Sequence, residues 1–183
     1  VLVIDDQTGV WVHFDKARMA LVDEYTDTWE RHIRQRPDKL KRFARRGLLD
    51  VNAPRFWDYC RERWRRGFMG ELAVAAYLRA PYDWRLETAE DCDVDGVQVR
   101  TAHTKRKPLI TRTSDKAAPY ALVVPDYDTC VALLQGWLPL KDCNVTAYYV
   151  EHETAPCFMV PPTALQPMRT LRQEYEQRKR RVA

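Results

Sequence analysis

The hydrophobic pattern of the chain changes period at Pro81. Before that residue apolar side chains recur at steps of three and four, the spacing of one helix face; after it they alternate, the spacing of one sheet face. Helices followed by a sheet are therefore expected. Ala17, Leu21, Tyr25, Thr28 and His32 carry the helical period through residues 15–46, with Pro37-Asp38 marking a break, KLKRFARRG a restart and Gly47 a C-cap. A second helical stretch begins after Asn52-Ala53-Pro54 and runs to Pro81, with Trp57, Cys60, Trp64, Phe68, Leu72 and Ala75 along one face as core. WRLET, DCDV-DG-VQVRTAH, PLITR, YALVVP and TCVALLQGWL are strand candidates, TAYYV and CFMVP are further ones, and MRTLRQEYEQRKRRVA is a closing helix. The predicted class is α/β, a mixed sheet of four or more strands between Trp84 and Trp137 flanked by helices. A basic N-terminal strand and helical extension (1–53) would precede the core (54–183), the two forming one unit.

Composition narrows the setting. A chain of 183 residues with 45% hydrophobic and 31% charged residues can bury a core and is too apolar for intrinsic disorder. No apolar run reaches the ~18 residues of a membrane span, and the N-terminal VLVIDDQTGV carries an Asp pair where an export signal needs an apolar core. Cys60, Cys92, Cys130, Cys143 and Cys157 are odd in number and lack C-x-x-C spacing, which argues against a disulfide framework or a cysteine zinc site and points to a reducing cytoplasm. The only serine, Ser114, has no G-x-S-x-G context, and no glycine loop of the G-x-x-x-x-G-K kind exists, which excludes a nucleotide-hydrolysing motor. The net charge of +4 conceals an asymmetry. Residues 31–66 hold 13 Lys+Arg against four acids, a net +9 that leaves −5 elsewhere. Arg42, Arg45, Arg46, Arg61 and Arg65 in that segment are candidates for a phosphate backbone.

The most informative stretch is Asp91-Cys92-Asp93-Val94-Asp95-Gly96-Val97-Gln98-Val99-Arg100. Asp-Gly between alternating segments signals a type I′ hairpin, which needs positive φ at both central residues. With that turn Val94 pairs with Val97 and Asp93 lies opposite Gln98. One face then presents Asp93, Gln98 and Arg100, and the other turns Val97 and Val99 to a core. If the register slips, Asp91 replaces Asp93.

This arrangement, with Gly70-Glu71-Leu72-Ala73-Val74-Ala75-Ala76-Tyr77-Leu78 just before it, resembles the PD-(D/E)XK nuclease superfamily and its restriction-endonuclease-like fold. The run from about Gly70 to Trp137 is similar to a group of small bacterial and phage proteins of that superfamily. The resemblance implies cleavage of DNA with Mg²⁺ or Mn²⁺. Glu71 takes the helix acid position, Asp93 the strand acid, Gln98 the second acid and Arg100 the lysine. Glu71, Asp93, Gln98 and the Val99 carbonyl would hold the cation, an all-oxygen set of the kind Mg²⁺ prefers. Gln98 removes one negative charge from the pattern. Arg100 stays charged and cannot act as a base, so its expected part is to stabilise the developing phosphorane charge, and proton transfer falls to His103 or to bulk water. Lys105, Arg106 and Lys107, with Arg112 and Lys116 beyond, would contact flanking phosphates. The alternative is a nuclease-fold protein without catalysis that binds DNA or a protein partner, as a homodimer or as a phage-type regulator.

Overall fold

The computed structural model describes residues 1–6, 9–36, 55–82, 93–151 and 156–182. The expected restart over 38–47, the Asn52-Ala53-Pro54 cap, the WRLET strand, Asp91, and Arg42, Arg45 and Arg46 lie outside the described residues. The fold is α/β with a mixed sheet, as the change of period predicts.

Strands β1 (Leu2–Asp6) and β2 (Gly9–His13) form an N-terminal hairpin, and β3 (Gln98–Thr101), β4 (Leu109–Thr111), β5 (Pro119–Asp126) and β6 (Val131–Pro139) follow the long helices. The main sheet has the order β1-β2-β6-β5-β3, antiparallel except for the parallel β3–β5 pair. The N-terminal segment therefore supplies two of the five strands. A second, antiparallel sheet is built from β4, β8 (Cys157–Val160) and β7 (Tyr149–Val150).

Helix α1 (Lys16–Arg34) starts at Asp15, whose carboxylate accepts from Arg18 N at 2.9 Å, and ends with Arg31, His32 and Arg34 against its negative pole. Its buried residues are Met19, Val22, Thr26 and Ile33. That stripe is turned by about a third of a turn from the predicted one, and Ala17 is exposed. The predicted residues carry the right period, but the face that α2 and the sheet cover is chosen by packing.

Helix α2 (Phe56–Leu78) crosses the main sheet. Its second half, Met69 to Leu78, is buried almost continuously because it lies between the sheet and the other helices. Arg79 closes it with φ 55°, Ala80 N donates to Ala75 O at 3.0 Å, and Pro81 stops further winding. A short helix α3 (Leu140–Cys143) and the long α4 (Met168–Val182) complete the chain.

The two sheet faces carry separate cores. Val10, Val12, Val97, Val99, Ala121, Val123, Ala132 and Leu134 face α2, while Tyr120, Leu122 and Leu138 pack with Leu109 and Val160 of the second sheet. A bulge reconciles the faces: Leu122 pairs with Gly136 but Val123 with Leu134, so Gln135 is the extra residue of β6. Its Nε2 reaches out to Lys105 O at 2.5 Å.

The Asp95-Gly96 turn forms as the sequence requires, with φ of 40° and 86° and reciprocal Val94–Val97 backbone bonds of 3.0 and 2.8 Å. Helix α4 clamps it. Tyr175 Oη donates to Asp95 Oδ2 at 2.6 Å, Lys179 Nζ lies 2.6 Å from the same oxygen, and Arg178 Nη2 donates to Asp95 O at 2.6 Å. These bonds, Lys179 first, hold the Asp95 carboxyl below its ordinary value. A depressed acid stabilises the fold above its unfolded value of 3.8 and loses that contribution as pH falls through its folded value. Asp95→Asn is accordingly expected to cost at most about 1 kcal/mol near pH 7, with the difference from wild type shrinking in denaturation curves as pH falls below 3.8.

Candidate active site

The residues around Asp93 meet at one edge of the main sheet. Ala102 N donates to Val123 O at 2.9 Å, so the even-numbered residues of β3 turn their backbone groups to β5 and Val99 turns its amide and carbonyl outward. Asp93 Oδ2 accepts from Val99 N at 2.7 Å. That donor is the one the next hairpin rung would use, so the carboxylate ends the ladder and is held against the strand edge.

Gln98 and Arg100 project from the face opposite Val97 and Val99, as the alternation predicts. Arg100 Nη1 lies 3.5 Å from Gln98 Oε1, 3.4 Å from Val99 O and 3.9 Å from Asp93 Oδ2. Its Nη2 lies 3.4 Å from Asp115 Oδ2, and its guanidinium stands 5.1 Å from the Tyr120 ring centroid. Three of the four acceptors expected for a cation therefore share one guanidinium.

Glu71 arrives from α2. Gly70 makes this approach possible, since a Cβ there would stand 2.5 Å from Thr101 Cγ2 and 3.5 Å from Val99 Cγ1. Glu71 Oε2 accepts from Tyr82 Oη at 2.6 Å. Burial first, and then the Asp93 charge, push the Glu71 carboxyl up to about 8. Burial also raises Asp93, partly offset by the Val99 amide, Arg100 and Lys116. The site thus joins two carboxylates whose simultaneous ionisation is unfavourable without added positive charge.

The sign of this coupling is testable. An acid raised in the folded state favours folding below its unfolded value of 4.5 and loses that contribution as pH rises through about 8. Glu71→Gln is expected to match wild type in denaturant unfolding at pH 4 and to be the more stable protein at pH 9.

Two residues that sequence reasoning missed, and Lys116, expected only as a phosphate contact, complete the site. Tyr82 holds Glu71, and Asp115 anchors Arg100 while accepting from Arg112 N at 3.0 Å. Lys116 is close enough for its charge to act on Asp93, and its buried Nζ has no hydrogen-bond partner among the described residues. Asp115 and Lys116 come from the loop between β4 and β5, where no local pattern ties them to Asp93.

Other predicted residues lie elsewhere. His103 does not join this edge: β3 ends at Thr101, and His103 accepts from the Arg66 guanidinium four residues beyond Val99. Arg61 and Arg65 face α1, where Arg61 pairs with Asp27 and Glu30 and Arg65 with Asp23, so their charge is spent between helices. Lys105, Arg106 and Lys107 form an exposed turn.

Among the described residues no three His, Cys, Asp or Glu side chains are placed together to hold a metal ion, and no helix is long and apolar enough to cross a membrane. Two carboxylates, the Gln98 amide oxygen and the outward Val99 carbonyl nonetheless make an all-oxygen donor set suited to a hard cation. Comparison with protein-family models, curated proteins and solved structures found no match.

Proposed function

We propose that this edge is a divalent-cation-dependent phosphodiester hydrolase site acting on DNA, in keeping with the resemblance of GELAVAAYL and DVDGVQVR to the PD-(D/E)XK nucleases. The observation that carries the reading is the meeting of Glu71 with Asp93, the latter held by Val99 N at 2.7 Å, where burial first and then the Asp93 charge raise the helix carboxyl to about 8. Added positive charge is what such a pair needs to ionise fully.

Asp93, Glu71, Gln98 and the Val99 carbonyl would hold Mg²⁺ or Mn²⁺. The bound cation would polarise the phosphoryl oxygen and acidify a water. The protein's own residues account for the remainder. Tyr82 orients the Glu71 carboxylate through the 2.6 Å bond. Arg100 cannot move a proton, but its fixed charge is suited to the phosphorane oxygens. Lys116, a buried ammonium without a hydrogen-bond partner among the described residues whose charge acts on Asp93, is the amine we assign to the part that the resemblance would give to a lysine at position 100. Lys105, Arg106 and Lys107 are free to contact flanking phosphates, whereas Arg61 and Arg65 are not.

One observation favours a second reading. The Arg100 guanidinium already lies within 3.9 Å of Asp93 Oδ2 and 3.5 Å of Gln98 Oε1. A permanent internal cation of this kind would suit a nuclease-fold protein that holds DNA, or a protein partner, without cutting it. Incubation of the purified protein with supercoiled plasmid separates the two. Nicking with Mg²⁺ or Mn²⁺ that stops in excess EDTA supports hydrolysis, and intact plasmid at salt concentrations where the protein binds DNA supports the second reading.

A further inference from the structure

A cleft of about 810 Å³ opens near the far end of β3 from Asp93 and is lined by residues of β2, α2, the turn after β3, and the β5–β6 connection. Its volume is that of a small-molecule site. The cation-dependent reading uses only Lys105 of its lining, as a contact to flanking phosphates. Its walls differ in charge.

One wall is cationic. Arg66 donates to both His103 and Glu62, and Arg63 and Lys107, outside the lining, also direct positive charge at His103. Lys105 lines the same wall. Its ammonium stands 4.4 Å from the Trp11 ring centroid and has no carboxylate partner among the described residues. Burial, followed by the Arg66 charge, holds His103 below its ordinary value, so at neutral pH the ring waits uncharged among cations. The opposite wall is the turn from Asp126 to Thr129. Asp126 Oδ1 is occupied by Asp128 N at 3.1 Å and Thr129 N at 3.3 Å, which leaves the exposed Asp128 carboxylate as an acceptor at the rim. The lining also includes the partly exposed Trp11, Val124 and Tyr127, with the Arg65 guanidinium 4.7 Å from the Tyr127 ring centroid.

We propose that this cleft is a binding site for a nucleoside monophosphate, either free or as one unit of a nucleic-acid strand. The phosphate sits against Arg66 and Lys105, the flat base against Trp11, Val124 and Tyr127, and sugar hydroxyl or base amino hydrogens reach Asp128. The anion, the flat ring and the neutral hydrogen-bond donors of such a ligand correspond to the cations, the partly exposed apolar surface and the free acceptor of the lining. Inorganic phosphate would satisfy only the first wall.

The test is an NMR titration of the His103 ring in the full chain, with dAMP, with a single-stranded deoxyadenosine hexanucleotide, or with inorganic phosphate. Saturation with dAMP or the hexanucleotide is expected to raise the His103 midpoint by about one unit, because a bound anion favours the imidazolium. Lys105→Ala is expected to weaken that binding about tenfold, the loss of one charge-assisted contact. Asp93→Asn is expected to leave it unchanged, which separates this site from the one at the strand edge. Hexanucleotide binding at least tenfold tighter than dAMP assigns the site to a strand, and equal or weaker binding assigns it to the free nucleotide. An unmoved His103 titration with both ligands overturns the proposal, as does inorganic phosphate that binds as tightly as dAMP.

Discussion

Asp93→Asn is expected to reduce cation-dependent plasmid cleavage by roughly 10²- to 10³-fold while the chain remains folded. The lower bound exceeds the loss from most outer-shell partners, ~10- to 100-fold, because the Asp93 carboxylate is itself a proposed ligand. Asparagine keeps the shape of the side chain and an oxygen that can still accept from Val99 N, the bond that now holds the carboxylate at 2.7 Å. Lost cleavage with an unchanged thermal transition therefore reports charge, not unfolding. A second readout needs no activity. Removing the Asp93 charge takes away the second cause of the raised Glu71 carboxyl and leaves burial, the larger one. By carboxyl-detected NMR the Glu71 midpoint should fall from about 8 but remain above its ordinary 4.5. Full cleavage by Asp93→Asn would remove this edge from the proposed function.

Gly70→Ala is expected to destabilise the fold by about 1–3 kcal/mol, the usual cost of overpacking a filled interior. The new methyl would stand 2.5 Å from Thr101 Cγ2 and 3.6 Å from Val123 Cβ, so α2 must lift from the sheet. Three residues earlier on the same helix, a Cβ on Gly67 meets nothing within 4 Å. Gly67→Ala should therefore show only the backbone effect, a gain of up to about 1 kcal/mol. At roughly 2–4 °C per kcal/mol for a chain of this size, thermal melts should move in opposite directions. Because Gly70 precedes Glu71, its substitution should also separate Glu71 from Asp93 and lower the Glu71 midpoint. Equal shifts of both variants would contradict the close helix–strand contact.

Much of the site was legible because it is local. The Asp95-Gly96 turn dictates the Val94–Val97 pairing, and strand alternation then sends Val97 and Val99 to the core and Gln98 and Arg100 to the opposite face. Each inference links residues a few positions apart, where backbone geometry alone decides. The helix period likewise located α1 and α2. It did not choose the buried face of α1, since a helix with several half-apolar stripes buries the one its neighbours cover.

The supporting residues were not legible. Asp115 reaches Arg100, and Lys116 comes near Asp93, across the β4–β5 connection, and Tyr82 reaches Glu71 where the chain turns at Pro81 after α2. Charge runs misled for the same reason. Arg61 and Arg65 read as part of a +9 surface, yet Asp23, Asp27 and Glu30 of α1 neutralise them across 31 to 42 positions of chain. His103 followed the motif closely in sequence and still belongs to another cleft, because β3 ends at Thr101 and Arg66 of α2 lies beside it.

Period, turn chemistry and strand alternation thus specify the long helices, the Asp95-Gly96 turn and the face on which Gln98 and Arg100 stand, since these depend on steric limits within a few residues. They do not specify the β1–β2 hairpin that precedes the helices and joins the main sheet. Which charges meet Asp93, which are cancelled, and where a second cleft opens depend on contacts between segments distant in sequence, and only packing of the helices and sheets decides them.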